Sequence, residues 1–185
     1  MLEEKEQPFK LERVSIRLVK DAPLYSDKPM NNPVQVVEAL GKELCEMDRE
    51  VMYIINMKTN SVPINVSLVS IGTLNASLVE PRELFKSSIL SSAASIVLLH
   101  NHPSSDILPS QSDLHLTARL KMAGEIIGID VLDHIIVGGD NTKYFSFAEN
   151  NIMPTISYLR EAENHEKQVS NIAKMPMAAE RGKSR

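Results

Sequence analysis

The sequence carries one cysteine, Cys45, no tryptophan, and only four Phe and four Tyr among 185 residues. A single cysteine cannot close an intramolecular disulfide, which agrees with a reducing compartment. So few aromatic rings leave little for the stacking platforms used to bind single-stranded nucleic acid. They also require a core built from Leu, Ile, Val and Met. No apolar run approaches the ~18 residues of a membrane span. The N-terminal MLEEKEQPFK lacks the apolar stretch of a secretory signal. The expected location is the cytoplasm. A (β/α)₈ barrel needs roughly 250 residues, so the chain has room for one domain with tails, or two small ones.

What is present is ordinary for a folded protein: 43% of residues are hydrophobic and 24% charged, enough to bury a core and to exclude wholesale disorder. The net charge of −4 is unevenly spread. Residues 31–150 hold eight basic and fourteen acidic side chains, whereas residues 151–185 hold six and four. Non-specific attraction to phosphate backbones comes from Lys and Arg. Any nucleic-acid contact is therefore expected only through the tails or a local patch.

The chain reads as three parts: an N-terminal extension (1–30) with one short strand at Val14, Ile16 and Leu18, a domain (31–150), and a mobile tail (151–185) without an amphipathic face. Within the domain, Asn32 as cap, Pro33 at the first helical position and Gln35 open a helix. Val37, Leu40, Leu44 and Met47 share one face of it, and its end is expected near Asp48. EVMYIINM (50–57) reads as a buried strand, Lys58–Ser61 as a turn, and 63–71 and 74–79 as strands bent at Gly72, together an antiparallel meander. Pro81 opens a second helix, expected to reach Ala94 with Leu84, Phe85, Ile89 and Leu90 inward. Ser95–Leu99 is a short apolar strand. Leu116, Leu120, Ala123 and Ile127 mark a third helix ended by Gly128. Strands at 131–137 and 143–147 flank the Gly138–Asn141 turn.

The chemistry concentrates in HNHPSSDILPSQSD, residues 100–113. His100 and His102 leave a strand at i and i+2, so both rings point to one side. Asp113 follows eleven residues later, in the first turn of the next helix, and the loop can return it to the same point. Two imidazoles and a carboxylate make a three-ligand zinc set whose fourth position is open to water, and zinc lowers the pKa of that water to about 7. Ser110 and Asp113 read equally as a capping box, and His-x-His by itself is a common surface pattern. Barrel amidohydrolases also use such a pair, but the chain is too short for them. Metallo-β-lactamase-like enzymes continue with Asp-His where this chain has Ser104-Ser105.

His100-Asn101-His102-Pro103, then Ser110 and Asp113 at these spacings, resemble the JAMM signature of the JAB/MPN metallopeptidase superfamily. HNHPSSD, the later Leu132-Asp133-His134-Ile135-Ile136-Val137-Gly138 and Tyr144-Phe145-Ser146-Phe147-Ala148-Glu149 resemble the RadC-like branch, over about residues 33–150. The resemblance implies an α/β (α+β) fold, a mixed, largely antiparallel sheet flanked by helices and related to the cytidine-deaminase fold. It implies one Zn²⁺ on His100, His102 and Asp113, Ser110 as hydrogen-bond donor to the tetrahedral intermediate, and Glu50 as general base. RadC-like proteins usually carry a helix-hairpin-helix-like N-terminal region, for which nothing before residue 33 serves, and a Gly where Ser105 stands.

The leading expectation is a zinc-dependent hydrolase acting on a peptide or isopeptide bond of a peptide or protein substrate. A second is a binding module associated with DNA repair or mobile elements, its zinc site structural or vestigial. A metal-dependent nuclease is weaker, because such sites often use two metals. Of the remaining polar residues, Asp133-His134 could orient a ligand but reads more readily as a structural pair at a strand end. Asp106 suits an Asx turn. His115 is expected to point away from Asp113, His165 to be solvated, and Cys45 to be a small, partly buried side chain.

Overall fold

The computed structural model describes residues 32–72, 79–139 and 143–155, together with 15, 17–21, 30, 157 and 158. Helix α1 spans Pro33–Cys45. It is capped by Asn32, whose side chain accepts the Gln35 amide at 3.0 Å. It stops three residues short of the expected Asp48. Strands β1 (Val51–Met57) and β2 (Pro63–Ile71) form an antiparallel pair around a turn in which the Ser61 amide donates to Lys58. The meander goes no further among the described residues: 73–78 lie outside them, and the next strand, β3 (Ser95–His102), pairs with β1 on the side away from β2.

Helix α2 (Pro81–Leu90) ends earlier than the expected Ala94. It buries Leu84, Phe85 and Ser88, while Ile89 and Leu90 face solvent, contrary to the expected inward face. Ser88 lies one turn beyond Leu84, so the buried stripe of this short helix follows i and i+4 and leaves the two apolar residues at its end outside. Helix α3 (Gln111–Ile127) opens on a complete Ser110–Asp113 capping box and ends at Gly128, whose φ of +75° favours glycine. Leu116 and Leu120 are fully buried, whereas Ile127 is exposed. A Cβ on Gly124 would lie 2.3 Å from the Ile129 carbonyl oxygen, so α3 can approach its outgoing turn this closely only with glycine there.

Strands β4 (Asp130–Gly138) and β5 (Tyr144–Ser146) complete a five-stranded sheet in the order β2-β1-β3-β4-β5. Only β3 and β4 are parallel, and α3 makes the crossover between them. The expected mixed, largely antiparallel sheet flanked by helices is thus the observed α/β architecture. One core layer packs Leu40 and Leu44 of α1 against Val97 and Leu99. The other packs Phe85, Leu116 and Leu120 against Ile96 and Leu98. Each of these apolar side chains contributes about 1.5–3 kcal/mol on full burial.

β4 carries an irregularity that decides which side chains reach the site. Ile96 pairs with Val131 but Val97 with Asp133, so Leu132 is an extra residue. Val131 therefore shares the α3 face with His134, and Asp133 turns to the other side.

The short strand expected near 14–18 is not formed at Ser15, Arg17 or Leu18, and Leu18 is exposed; Val14 and Ile16 lie outside the described residues. Past β5 the chain stays on the domain. Met153 packs on the α2–α3 core, Pro154 is buried, and the Tyr158 hydroxyl donates to Gln111 at 2.9 Å. The rest of the C-terminal tail, His165 included, lies outside the described residues. No helix among the described residues is long and apolar enough to cross a membrane.

Candidate metal centre

His100 and His102 project from the carboxyl end of β3 on the α3 face, as the alternation of a strand requires. The intervening loop folds back as the spacing suggested. Asp106 forms the expected Asx turn, its Oδ1 accepting the Leu108 amide at 3.0 Å. Its carbonyl accepts the His102 Nδ1–H at 2.5 Å, which leaves the His102 Nε2 lone pair facing inward. Ser105 takes a φ of +64°, a backbone conformation suited to the glycine usual there.

Ser110 and Asp113 serve both readings that the sequence left open. The Asp113 amide donates to Ser110 Oγ at 3.2 Å, and Asp113 Oδ2 accepts the Ser110 amide at 2.7 Å and hydroxyl at 2.6 Å. The same carboxylate lies 3.4 Å from His100 Nε2 and 3.6 Å from His102 Nε2. The two Nε2 atoms are 3.0 Å apart. Ligand atoms of His100, His102 and Asp113 all fall within 4.8 Å of one another.

His100 is held from behind. Its Nδ1 is 2.7 Å from His134 Nε2. His134 Nδ1 is 2.6 Å from Thr117 Oγ1, whose proton goes to the Asp113 carbonyl at 2.6 Å. Phe147 stacks on the His134 ring at 4.8 Å. The pair at 133–134 is thus a correction to the strand-end reading. It sits inside β4, where alternation sends its members to opposite faces, and the extra residue Leu132 decides that His134 is the one on the site face. Asp133 accepts from the Ser146 hydroxyl at 2.6 Å and from the Ala148 amide at 2.9 Å, pinning the end of β5.

The protonation states follow from these surroundings. Burial, then the neighbouring His134, pushes His100 well below the usual imidazole range. Burial lowers His134 to about 4. The hydrogen bond with Asp113 raises His102 against the effect of its partial burial. Burial would raise the Asp113 carboxyl, but His102, His100 and Ser110 together outweigh it and hold the group below its ordinary value. Its place in the first turn of α3 also favours the anion.

Fit to a metal can be judged from the donor set. His100 Nε2, His102 Nε2 and the Asp113 carboxylate all present lone pairs, with no proton donor between them when both rings are neutral. A tetrahedral ion with bonds of ~2.0–2.1 Å to nitrogen or oxygen separates its ligand atoms by roughly 3.3–3.4 Å. The two Nε2 atoms are 3.0 Å apart, and His100 and His102 lie 3.4 and 3.6 Å from different oxygens of the Asp113 carboxylate, Oδ1 and Oδ2. With one atom taken from each residue the three donors lie within 4.8 Å, so the residue types fit and the cluster is somewhat wider than that edge length.

Glu50 lies just before β1. The β1–β3 register ends with Met52 opposite His100, and Glu50 lies two residues before Met52, toward the His102 end of β3. Its charge contributes to the raised pKa of His102. Its carbonyl accepts the Gly72 amide at 2.8 Å. Asn101 grips the backbone on both sides of it: its carboxamide accepts from Val51 N–H and donates to the Arg49 carbonyl. The sequence reading did not single out Asn101 or Thr117. Their only signal was position, between the two histidines and one helical turn beyond Asp113.

The other candidates stand apart. His115 packs edge-on against Tyr158 at a centroid distance of 5.5 Å. Cys45 is partly buried, with its Sγ donating to the Gly138 carbonyl at 2.6 Å.

A mixed sheet whose parallel β3–α3–β4 unit gathers a His-x-His pair and a helix-borne aspartate defines an α/β domain of JAB type with a candidate metal centre. Residues 30–152 match the family model described as "RadC-like JAB domain", and the chain belongs to that family. The UPF0758 protein of Desulfitobacterium hafniense is 42% identical over 124 residues, covering 67% of this chain and 54% of that protein. The UPF0758 protein of Desulforamulus reducens is 52% identical over 106 residues, 57% of this chain and 47% of that protein. The chain spans about half the length of the curated relatives it matches.

Proposed function

We propose that this RadC-like JAB domain is a zinc-dependent hydrolase that cleaves an amide bond, peptide or isopeptide, in a peptide or protein substrate. The observation that carries this reading is the convergence of three lone-pair donors, His100 Nε2, His102 Nε2 and the Asp113 carboxylate, within 4.8 Å of one another. Three protein ligands with a fourth position open are the catalytic form of a zinc site. When bound, the ion supplies a water of near-neutral pKa and an electrophile for the scissile carbonyl. Glu50, whose charge already acts on His102, takes a proton from the attacking water and passes it to the leaving nitrogen. The Ser110 hydroxyl, at the solvent-exposed mouth of the cluster, turns from Asp113 to donate to the developing oxyanion.

The test is the zinc content of the purified protein set against a His100→Ala/His102→Ala variant. Stoichiometric zinc in the wild type and its loss in the variant are expected; equally low zinc in both overturns the reading. Cleavage of a mixed peptide library, followed by mass spectrometry, should be lost in Glu50→Gln while zinc is retained.

A further inference from the structure

His134 has its two ring nitrogens committed in a chain whose direction is forced. The chain ends on the Asp113 carbonyl, which can only accept. The single Thr117 hydroxyl proton goes there, at 2.6 Å. Toward His134 Nδ1, also at 2.6 Å, Thr117 Oγ1 can then only accept, so His134 carries its proton on Nδ1. His134 Nε2 is left as the acceptor, and His100 donates to it from Nδ1 at 2.7 Å. The lone pair of His100 must therefore lie on Nε2, the atom facing His102 and Asp113.

We infer that His134 and Thr117 are positioning residues that fix the tautomer and ring plane of His100 by a hydrogen-bond relay returning to the backbone of Asp113. Two further observations agree. Leu132, the extra residue of β4, brings His134 to the site face, and Phe147 stacks on its ring at an interplanar angle of 21°. The relay joins one proposed ligand to another: the side chain of His100 is oriented by the residue whose own carboxylate completes the cluster. This inference rests on the proposed role of His100 and deepens it.

Two variants test the relay with little change in shape. Thr117→Val removes the hydroxyl. His134 Nδ1 then has no acceptor, and the ring is free to move its proton to Nε2. That would require His100 to accept on Nδ1 and to place its own proton on Nε2, where it blocks the lone pair. Thr117→Ser keeps the hydroxyl. Long-range ¹H–¹⁵N NMR of the metal-free protein at neutral pH should show His100 protonated on Nδ1 in the wild type and in Thr117→Ser, with an Nε2–H population appearing in Thr117→Val. Chelator competition with Zn²⁺ should show a dissociation constant raised about 10–100-fold in Thr117→Val and restored in Thr117→Ser. An Nε2–H tautomer for His100 in the wild type, or unchanged tautomer and zinc affinity in Thr117→Val, overturns the inference. If the wild type binds no zinc, the hydrolase reading fails, while the NMR comparison still decides the relay.

Discussion

The carboxamide of Asn101 holds the main-chain N–H of Val51 at 2.7 Å, across fifty positions of sequence. With its nitrogen it also reaches the Arg49 carbonyl at 3.1 Å, so Glu50 is flanked by two bonds from one side chain. Asn101 is buried, and removing its amide leaves the Val51 donor without its partner. Asn101→Ala is expected to lower stability in urea by about 1–3 kcal/mol and to speed hydrogen exchange at the Val51 amide. Asn101→Asp, which keeps the acceptor but not the donor, should protect that amide better than Ala does. Equal exchange in all three proteins would contradict this role.

Ser110 and Asp113 share a cap and a cluster, and the two roles separate by mutation. Ser110→Ala should cost about 1 kcal/mol of stability through the lost cap and leave zinc binding in place. Asp113→Asn keeps an oxygen for the Ser110 amide, so its stability cost should be smaller, yet it removes the anionic ligand and should abolish zinc binding. Calorimetric unfolding and zinc content, measured on both variants, check the split.

Gly124 sits inside a helix, where alanine would normally gain about 1 kcal/mol in propensity. Here the added methyl would meet the Ile129 carbonyl oxygen at 2.3 Å, and that atom belongs to the backbone. Gly124→Ala is expected to destabilise the domain by about 1–3 kcal/mol. A stabilised variant in thermal or urea unfolding would sink this expectation.

Burial raises the Asp133 carboxyl above its ordinary value. In the window between the unfolded value, about 4, and the raised folded value, the folded state holds the proton more tightly. The contribution of this group is complete below about pH 4 and is lost as pH rises through its folded value. Asp133→Asn lacks that titration. Its stability relative to wild type should therefore rise as pH increases from about 4 to 7. A difference independent of pH would exclude the effect.

Local chemistry made much of this molecule readable. Asn32-Pro33 opened α1 where expected because capping needs only adjacent residues, and His100, His102 and Asp113 could be matched because a strand period and a helix cap set their directions. Readings that depended on tertiary context failed. Ile89 and Leu90 are apolar, but a ten-residue helix buried Ser88 instead. The 133–134 pair reads as a strand end although the expected strand, 131–137, encloses it, and which of its members faces the site depends on an extra residue at 132 that leaves no mark in composition. Asn101 was hidden by its type: asparagine between two histidines has no period and no charge, and its partners lie fifty residues upstream.

The side chains around the cluster, from His100 to His134, all belong to the single β3–α3–β4 unit, whereas Glu50 sits just before the start of β1, two strands earlier in the chain. Closing the short loop from His102 to Asp113 costs little chain entropy compared with docking β1 across fifty residues. Folding can thus gather His100, His102 and Asp113 first and bring Glu50 last. On the proposed function, an ion captured early would act as a nucleus for the unit, and the proposed site would be complete only when the antiparallel half of the sheet closes on it.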